Sequence, residues 1–115
     1  MLIVEDESMV IMLIRDFLTD IGCEIGGVAV RFMDALEKAR SQSFDVAILD
    51  VNLNGRHVFP IAEVLAERGL AFVFSTGYGP TGIPARFEGA PVLQKPFRQE
   101  DLERALRAAL AASGR

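Results

Sequence analysis

Five short, almost uninterrupted apolar runs limit what this chain can fold into: Leu2 to Val4, Ile25 to Val30, Phe44 to Leu49, Leu70 to Phe74 and Pro91 to Leu93. Strands that read as continuous apolar runs are buried on both faces, so helices must cover both. The intervening segments supply them. Val10, Ile14, Phe17, Leu18 and Ile21 recur at helical spacing and stop at Gly22. Phe32, Leu36 and Ala39 mark a second helix, while Ile61, Val64, Leu65 and Arg68 mark a third, ended by Gly69. Leu102, Leu106 and Leu110 lay one stripe along the last helix. Strand and helix in alternation predict a parallel sheet covered on both sides. The second run is the weakest, loosened by Gly26 and Gly27, and Asn52 to Arg56 reads as a polar loop. One stretch breaks the rhythm. Gly77, Gly79, Gly82, Gly89, Pro80 and Pro84 crowd the segment where a fourth helix would stand, so only a short or mobile one is expected there.

A chain of 115 residues, half of them apolar, suits one domain over residues 1–115 and excludes a disordered chain. Its net charge of −4 offers no electrostatic footprint for nucleic acid, so direct nucleic-acid binding is not expected. Cys23 is the sole cysteine, which rules out an internal disulfide and fits a reducing, cytoplasmic compartment. No apolar run approaches the roughly 18 residues that cross a bilayer, and Met1 to Val4 lacks the basic start of a signal peptide. Membrane insertion is therefore not expected.

Open α/β sheets bind ligands in the crevice beyond the carboxyl ends of their strands. The first run ends in Glu5, Asp6 and Glu7, and the third in Asp50 followed by Asn52. The fourth ends in Ser75, Thr76 and Gly77, and the fifth in Gln94, Lys95 and Pro96. Carboxylates crowded into one crevice repel unless a cation neutralises them. Oxygen donors of this kind suit Mg²⁺, or Mn²⁺, held by one or two carboxylates plus a phosphoryl oxygen. Thr76 adds a hydroxyl and Lys95 a mobile positive charge. Together they describe a phosphoryl-handling site with Asp50 as acceptor, where positioning and charge neutralisation do most of the catalysis.

Each residue alone has a plainer explanation. Glu5 to Glu7 suit the start of a helix, Thr76 could be an N-cap, and Lys95 could lie along the surface. None of these explains the set. His57 reads as a solvated loop histidine, Tyr78 as exposed, and Cys23 as the filler of a small buried gap. Phe59, Phe72 and Phe74 read as core, with Phe97 under the last helix.

Four motifs stand in order at strand ends: LIVEDE at 2–7, ILDVNL at 48–53, FSTGY at 74–78 and KPF at 95–97. With them the chain resembles, over essentially its whole length, the receiver domains of response regulators, of which the chemotaxis regulator is the simplest. FSTGY is similar to the signature of the Phe-Ala-Thr-Gly-x-Tyr subclass, with Ser75 in place of alanine. The resemblance implies Asp6 as a direct metal ligand, Glu5 acting through water, and the backbone carbonyl of Asn52 completing the shell. It implies Asp50 as the phosphorylated aspartate, Thr76 and Lys95 as holders of phosphoryl oxygens, and a cis Lys95–Pro96 peptide. The donor would be a phosphohistidine on a sensor histidine kinase or histidine phosphotransfer protein. The domain would catalyse only its own modification and its reversal. Val92 stands where many such domains carry Tyr or Phe, so a change of order over 77–90 is expected to carry the signal instead. Relatives use the surface of the fourth helix, fifth strand and fifth helix for partners, where Arg98, Arg104 and Arg107 could contribute.

The expected architecture is thus a doubly wound, five-stranded, flavodoxin-like α/β sheet in the order 2-1-3-4-5. Two rivals remain. An aspartate-based phosphohydrolase uses a similar crevice, but places a second aspartate two residues after its nucleophile, where this chain has Asn52. A receiver fold that is never phosphorylated would serve as a constitutive binding module.

Overall fold

The computed structural model describes residues 1–78 and 82–113. Its elements run β1 (Leu2–Val4), α1 (Ser8–Asp20), β2 (Gly27–Ala29), α2 (Phe32–Ser41), β3 (Val46–Asp50), β4 (Asn52–Leu53), β5 (Arg56–His57), α3 (Phe59–Glu67), β6 (Ala71–Thr76), β7 (Val92–Gln94) and α4 (Gln99–Ser113). The main sheet is entirely parallel in the order β2-β1-β3-β6-β7. With the small β4–β5 hairpin set aside, this is the expected 2-1-3-4-5 order of a flavodoxin-like fold.

Alternation along each strand divides the core in two. Leu2, Val4, Ala47, Leu49 and Phe74 face α2 and α3. Ile3, Val46, Ile48, Val73 and Leu93 face α1 and α4. Ile14 and Leu18 of α1 close the second layer, along with Phe97, whose ring lies 6.4 Å from that of Phe17. On α4 the buried positions are Leu102, Ala105, Leu106 and Ala109, while Leu110 is exposed. A strict four-residue step drifts off a face whose turn is 3.6 residues, so the expected stripe shifts to Ala109.

Between β6 and β7, where only a short or mobile fourth helix is expected, the described residues form one 3₁₀ turn, Ala85–Phe87. The glycines and prolines there disfavour anything longer. Phe87 still reaches the core, its ring within 6.0 Å of Phe59, Phe72 and Phe74. Residues 79–81, with Gly79 and Pro80 of the expected mobile segment, lie outside the described residues. The polar loop at 52–56 is a hairpin instead. Asn54 and Gly55 both take positive φ, 52° and 82°, as a two-residue Asn-Gly turn requires.

Cys23 is half-buried at the rim of the layer facing α1 and α4 rather than filling a gap. Its amide donates to Leu18 O at 2.8 Å, closing α1 around left-handed Gly22. His57 is exposed, 5.5 Å from the ring of Phe59. Among the described residues, no helix is long and apolar enough to cross a membrane.

Arg68, read from the sequence only as a helical position, has a larger part. Its guanidinium donates to Ala39 O at 2.6 Å and Gln42 O at 2.8 Å, satisfying carbonyls at the end of α2. Arg68→Ala should lower unfolding free energy by about 1–2 kcal/mol in urea titrations. Arg68→Lys should restore part of it, because both bonds come from the one nitrogen Nη1 and an ammonium also donates to two carbonyls.

Candidate functional site

The carboxyl ends of β1, β3, β6 and β7 meet at one edge of the sheet, where every sequence-predicted site residue lies. The β1 ladder continues one residue past the strand, since the Glu5 amide donates to Ala29 O at 3.1 Å. That buries the Glu5 side chain, leaving it 1% exposed. The chain then turns: the Glu7 amide donates to Glu5 Oε2 at 3.2 Å, and α1 begins. Asp6 is half-buried and accepts the Asn54 amide on Oδ2 at 3.2 Å. The Asn-Gly hairpin thus steadies the carboxylate of Asp6, a role that the sequence reading missed. The Asn-Gly pair itself was the available signal.

Asp50 closes β3 and is buried. Its Oδ1 accepts the Asn52 amide at 3.3 Å, while Asn52 Oδ1 accepts the Gly55 amide at 2.9 Å. Asn52 is therefore held by its side chain beside Asp50. Thr76 ends β6, buried, and its Oγ1 accepts the Tyr78 amide at 3.1 Å. Among the described residues no helix begins at Thr76 for it to cap. Tyr78 itself is exposed.

The Lys95 amide donates to Thr76 O at 2.8 Å, and the Lys95–Pro96 peptide is cis. Lys95 turns its amine inward rather than along the surface. Nζ stands 3.0 Å from Glu5 Oε1, 3.5 Å from Asp50 Oδ1 and 3.6 Å from Glu7 Oε1. Arg104 and Arg107, by contrast, occupy exposed ion pairs with Asp101 and Glu103 along α4, worth little in stability.

Negative charge exceeds its compensation here. Burial first, then the neighbouring Glu5 carboxyl, push the Asp50 pKa from 3.8 up to about 8, with Lys95 pulling it only partly back. Burial pulls the Lys95 amine down, but Glu5, Asp50 and Glu7 outweigh it and raise the net value. Glu5 Oε1, although ion-paired with Lys95, is buried with no hydrogen-bond partner among the described residues. One carboxylate oxygen each from Glu5, Asp6 and Asp50 lies within 4.8 Å of the others. A hard divalent cation such as Mg²⁺ fits this donor set, being oxygen-seeking and served by few protein carboxylates.

Known proteins resemble this chain in sequence and fold. The response regulator receiver domain family matches residues 1–107. The solution structure of SdrG from Sphingomonas melonis Fr1 is 42% identical, with a TM-score of 0.84 over 95% of this chain and 93% of that one. The BeF₃-activated conformation of SdrG, from Pseudomonas melonis Fr1, has the same identity and coverage with a TM-score of 0.80. The receiver domain of the PhyR response regulator from Erythrobacter litoralis is 25% identical, with a TM-score of 0.82 over 99% of this chain and 91% of that one. No curated protein matches the chain. With its parallel sheet, its acidic strand ends and its inward lysine, the chain belongs to the response regulator receiver domain family.

Proposed function

We propose that this domain is a phosphorelay receiver in which Asp50 accepts a phosphoryl group from a phosphohistidine. The donor is a sensor histidine kinase or a histidine phosphotransfer protein. The observation that carries this reading is a buried carboxylate, Asp50, placed 3.5 Å from the Lys95 amine and within ligand reach of Glu5 and Asp6. SdrG, similar over nearly the whole chain, has a BeF₃-activated conformation, and beryllium fluoride mimics a phosphoryl group.

Each residue then has a defined task. An Asp50 carboxylate oxygen attacks phosphorus, and the P–N bond to the donor imidazole breaks with its electron pair remaining on the ring. Lys95 balances charge on the transferring group as a mobile cation. Thr76 Oγ1 already accepts the Tyr78 amide, which leaves its hydroxyl proton free for a phosphoryl oxygen. Asp6, Asp50 and the Asn52 carbonyl would hold Mg²⁺ or Mn²⁺, with Glu5 acting through water. The bound cation supplies neutralisation of the crowded carboxylates and of the phosphoryl oxygens. The domain acts only on its own aspartate and turns over no separate substrate. A cytoplasmic setting fits the lone, half-buried Cys23. Val92, half-buried and paired with Phe74, offers no ring to rotate.

Intact mass after incubation with acetyl phosphate tests the assignment. One phosphoryl adduct is expected in Mg²⁺, none in chelator and none in Asp50→Asn. Lys95→Ala should slow labelling by about 100-fold, the usual effect of removing one charge-stabilising donor. Labelling of Asp50→Asn to the same extent would overturn the assignment.

The raised Asp50 pKa predicts a pH dependence. In metal-free protein the folded state holds this proton more tightly than the unfolded chain does, with pKa values of about 8 and 3.8. Stability from that proton is complete below about pH 3.8 and is lost as pH rises through about 8. Thermal unfolding in chelator should therefore show Asp50→Asn gaining on the wild type across that window. At its top the variant should be more stable by about 1–3 kcal/mol, and Mg²⁺ should close the gap.

A further inference from the structure

Ser75 is the one buried polar residue at this edge that the phosphotransfer scheme leaves without a task. It is fully buried, and its Oγ has no hydrogen-bond partner among the described residues. A buried hydroxyl without a partner is destabilising, and such a group in a native core calls for an explanation. The sheet register supplies one. Ser75 pairs with Asp50 on one side and with Leu93 on the other. Two residues before Ser75 stands Val73, and two before Asp50 stands Ile48, both in the core layer beneath α1 and α4. A two-residue alternation therefore sends the Ser75 and Asp50 side chains to the same face, on strands spaced about 4.8 Å apart. Thr76, one residue on, belongs to the opposite face. The hydroxyl of Ser75 is thus a buried donor on the strand next to the phosphoacceptor, on the same face of the sheet.

We infer that Ser75 is a positioning residue that sets the lifetime of the phosphorylated state by donating its hydroxyl proton in a hydrogen bond to the departing carboxylate of Asp50. The inference rests on Asp50 being the phosphoacceptor. In hydrolysis a water oxygen attacks phosphorus and the bond between phosphorus and the Asp50 oxygen breaks, leaving its electron pair on the carboxylate. Inorganic phosphate leaves, and the surplus proton of the water goes to solvent. Negative charge on Asp50 grows along this path, so a donor that turns to it favours the transition state over the acyl phosphate. An alanine there, as in the Phe-Ala-Thr-Gly-x-Tyr signature, cannot do this. Ser75 makes the phosphorylated state shorter-lived than the same fold with alanine.

The test is the half-life of the phosphorylated protein in Mg²⁺, after removal of acetyl phosphate, for wild type, Ser75→Ala and Ser75→Cys. Ser75→Ala should lengthen it by about threefold to tenfold, the range expected for one hydrogen bond to a charged group. Ser75→Cys, with a weaker donor of similar shape, should fall between. Thermal midpoints should stay level or rise, since alanine removes an unpartnered hydroxyl. A purely structural serine would shift the midpoint without ordering the half-lives by donor strength. Equal half-lives in labelled wild type and Ser75→Ala, or a shorter one in Ser75→Ala, would overturn the inference while leaving Asp50 as the acceptor. Absence of any adduct in the wild type would overturn the acceptor assignment, and the inference with it.

Discussion

Everything at the working edge depends on an excess of buried negative charge. Glu5, Asp6 and Asp50 bring carboxylate oxygens within 4.8 Å of one another, and the Lys95 amine meets two of them, Glu5 and Asp50. One lysine cannot neutralise three carboxylates in a site largely closed to water, which is why Asp50 holds its proton so far up the pH scale. Protonation of Asp50 or the arrival of further positive charge relieves the excess. A site short of one cation is suited to a divalent metal and to chemistry that moves a phosphoryl group past it.

The sheet makes such crowding possible. Residues on three neighbouring strands can be held side by side only because β1, β3 and β6 are locked in register by two packed layers, with Ile3, Ile48 and Val73 below and Val4, Leu49 and Phe74 above. Burying these apolar side chains outweighs the repulsion at the strand ends, because removing apolar surface from water is the main force that drives a chain of this kind to fold. The hairpin at Asn54 and Gly55 then fixes Asp6 through a backbone amide, so its orientation does not depend on a flexible side-chain partner.

Departures from a simple strand-and-helix reading fall where local chemistry competes with the pattern. The 3₁₀ turn at Ala85–Phe87 replaces a helix because glycine and proline disfavour one, yet Phe87 still anchors the segment among Phe59, Phe72 and Phe74. Leu110 leaves the core because a four-residue repeat outruns the helical turn. Arg68 acts across helices, capping α2 from the end of α3, and no pattern within either helix announces it. The sequence motifs placed Asp50, Ser75, Thr76 and Lys95 at strand ends, but revealed neither the hold of Asn54 on Asp6 nor the unpartnered hydroxyl of Ser75.

What the sequence determined by itself was the layout. Continuous apolar runs made a parallel sheet necessary, because only burial on both faces accounts for them. The acidic and basic residues at their ends named the kind of chemistry before any distance was known. Tertiary structure decided the rest: which carboxylate is most buried, that Lys95 turns inward to 3.0 Å from Glu5, and that Ser75 stands in register with Asp50 with no hydrogen-bond partner for its hydroxyl among the described residues. Side-chain type is local information. Charge excess, burial and missing partners are properties of groups brought together from distant parts of the chain, and exist only once the strands are in register.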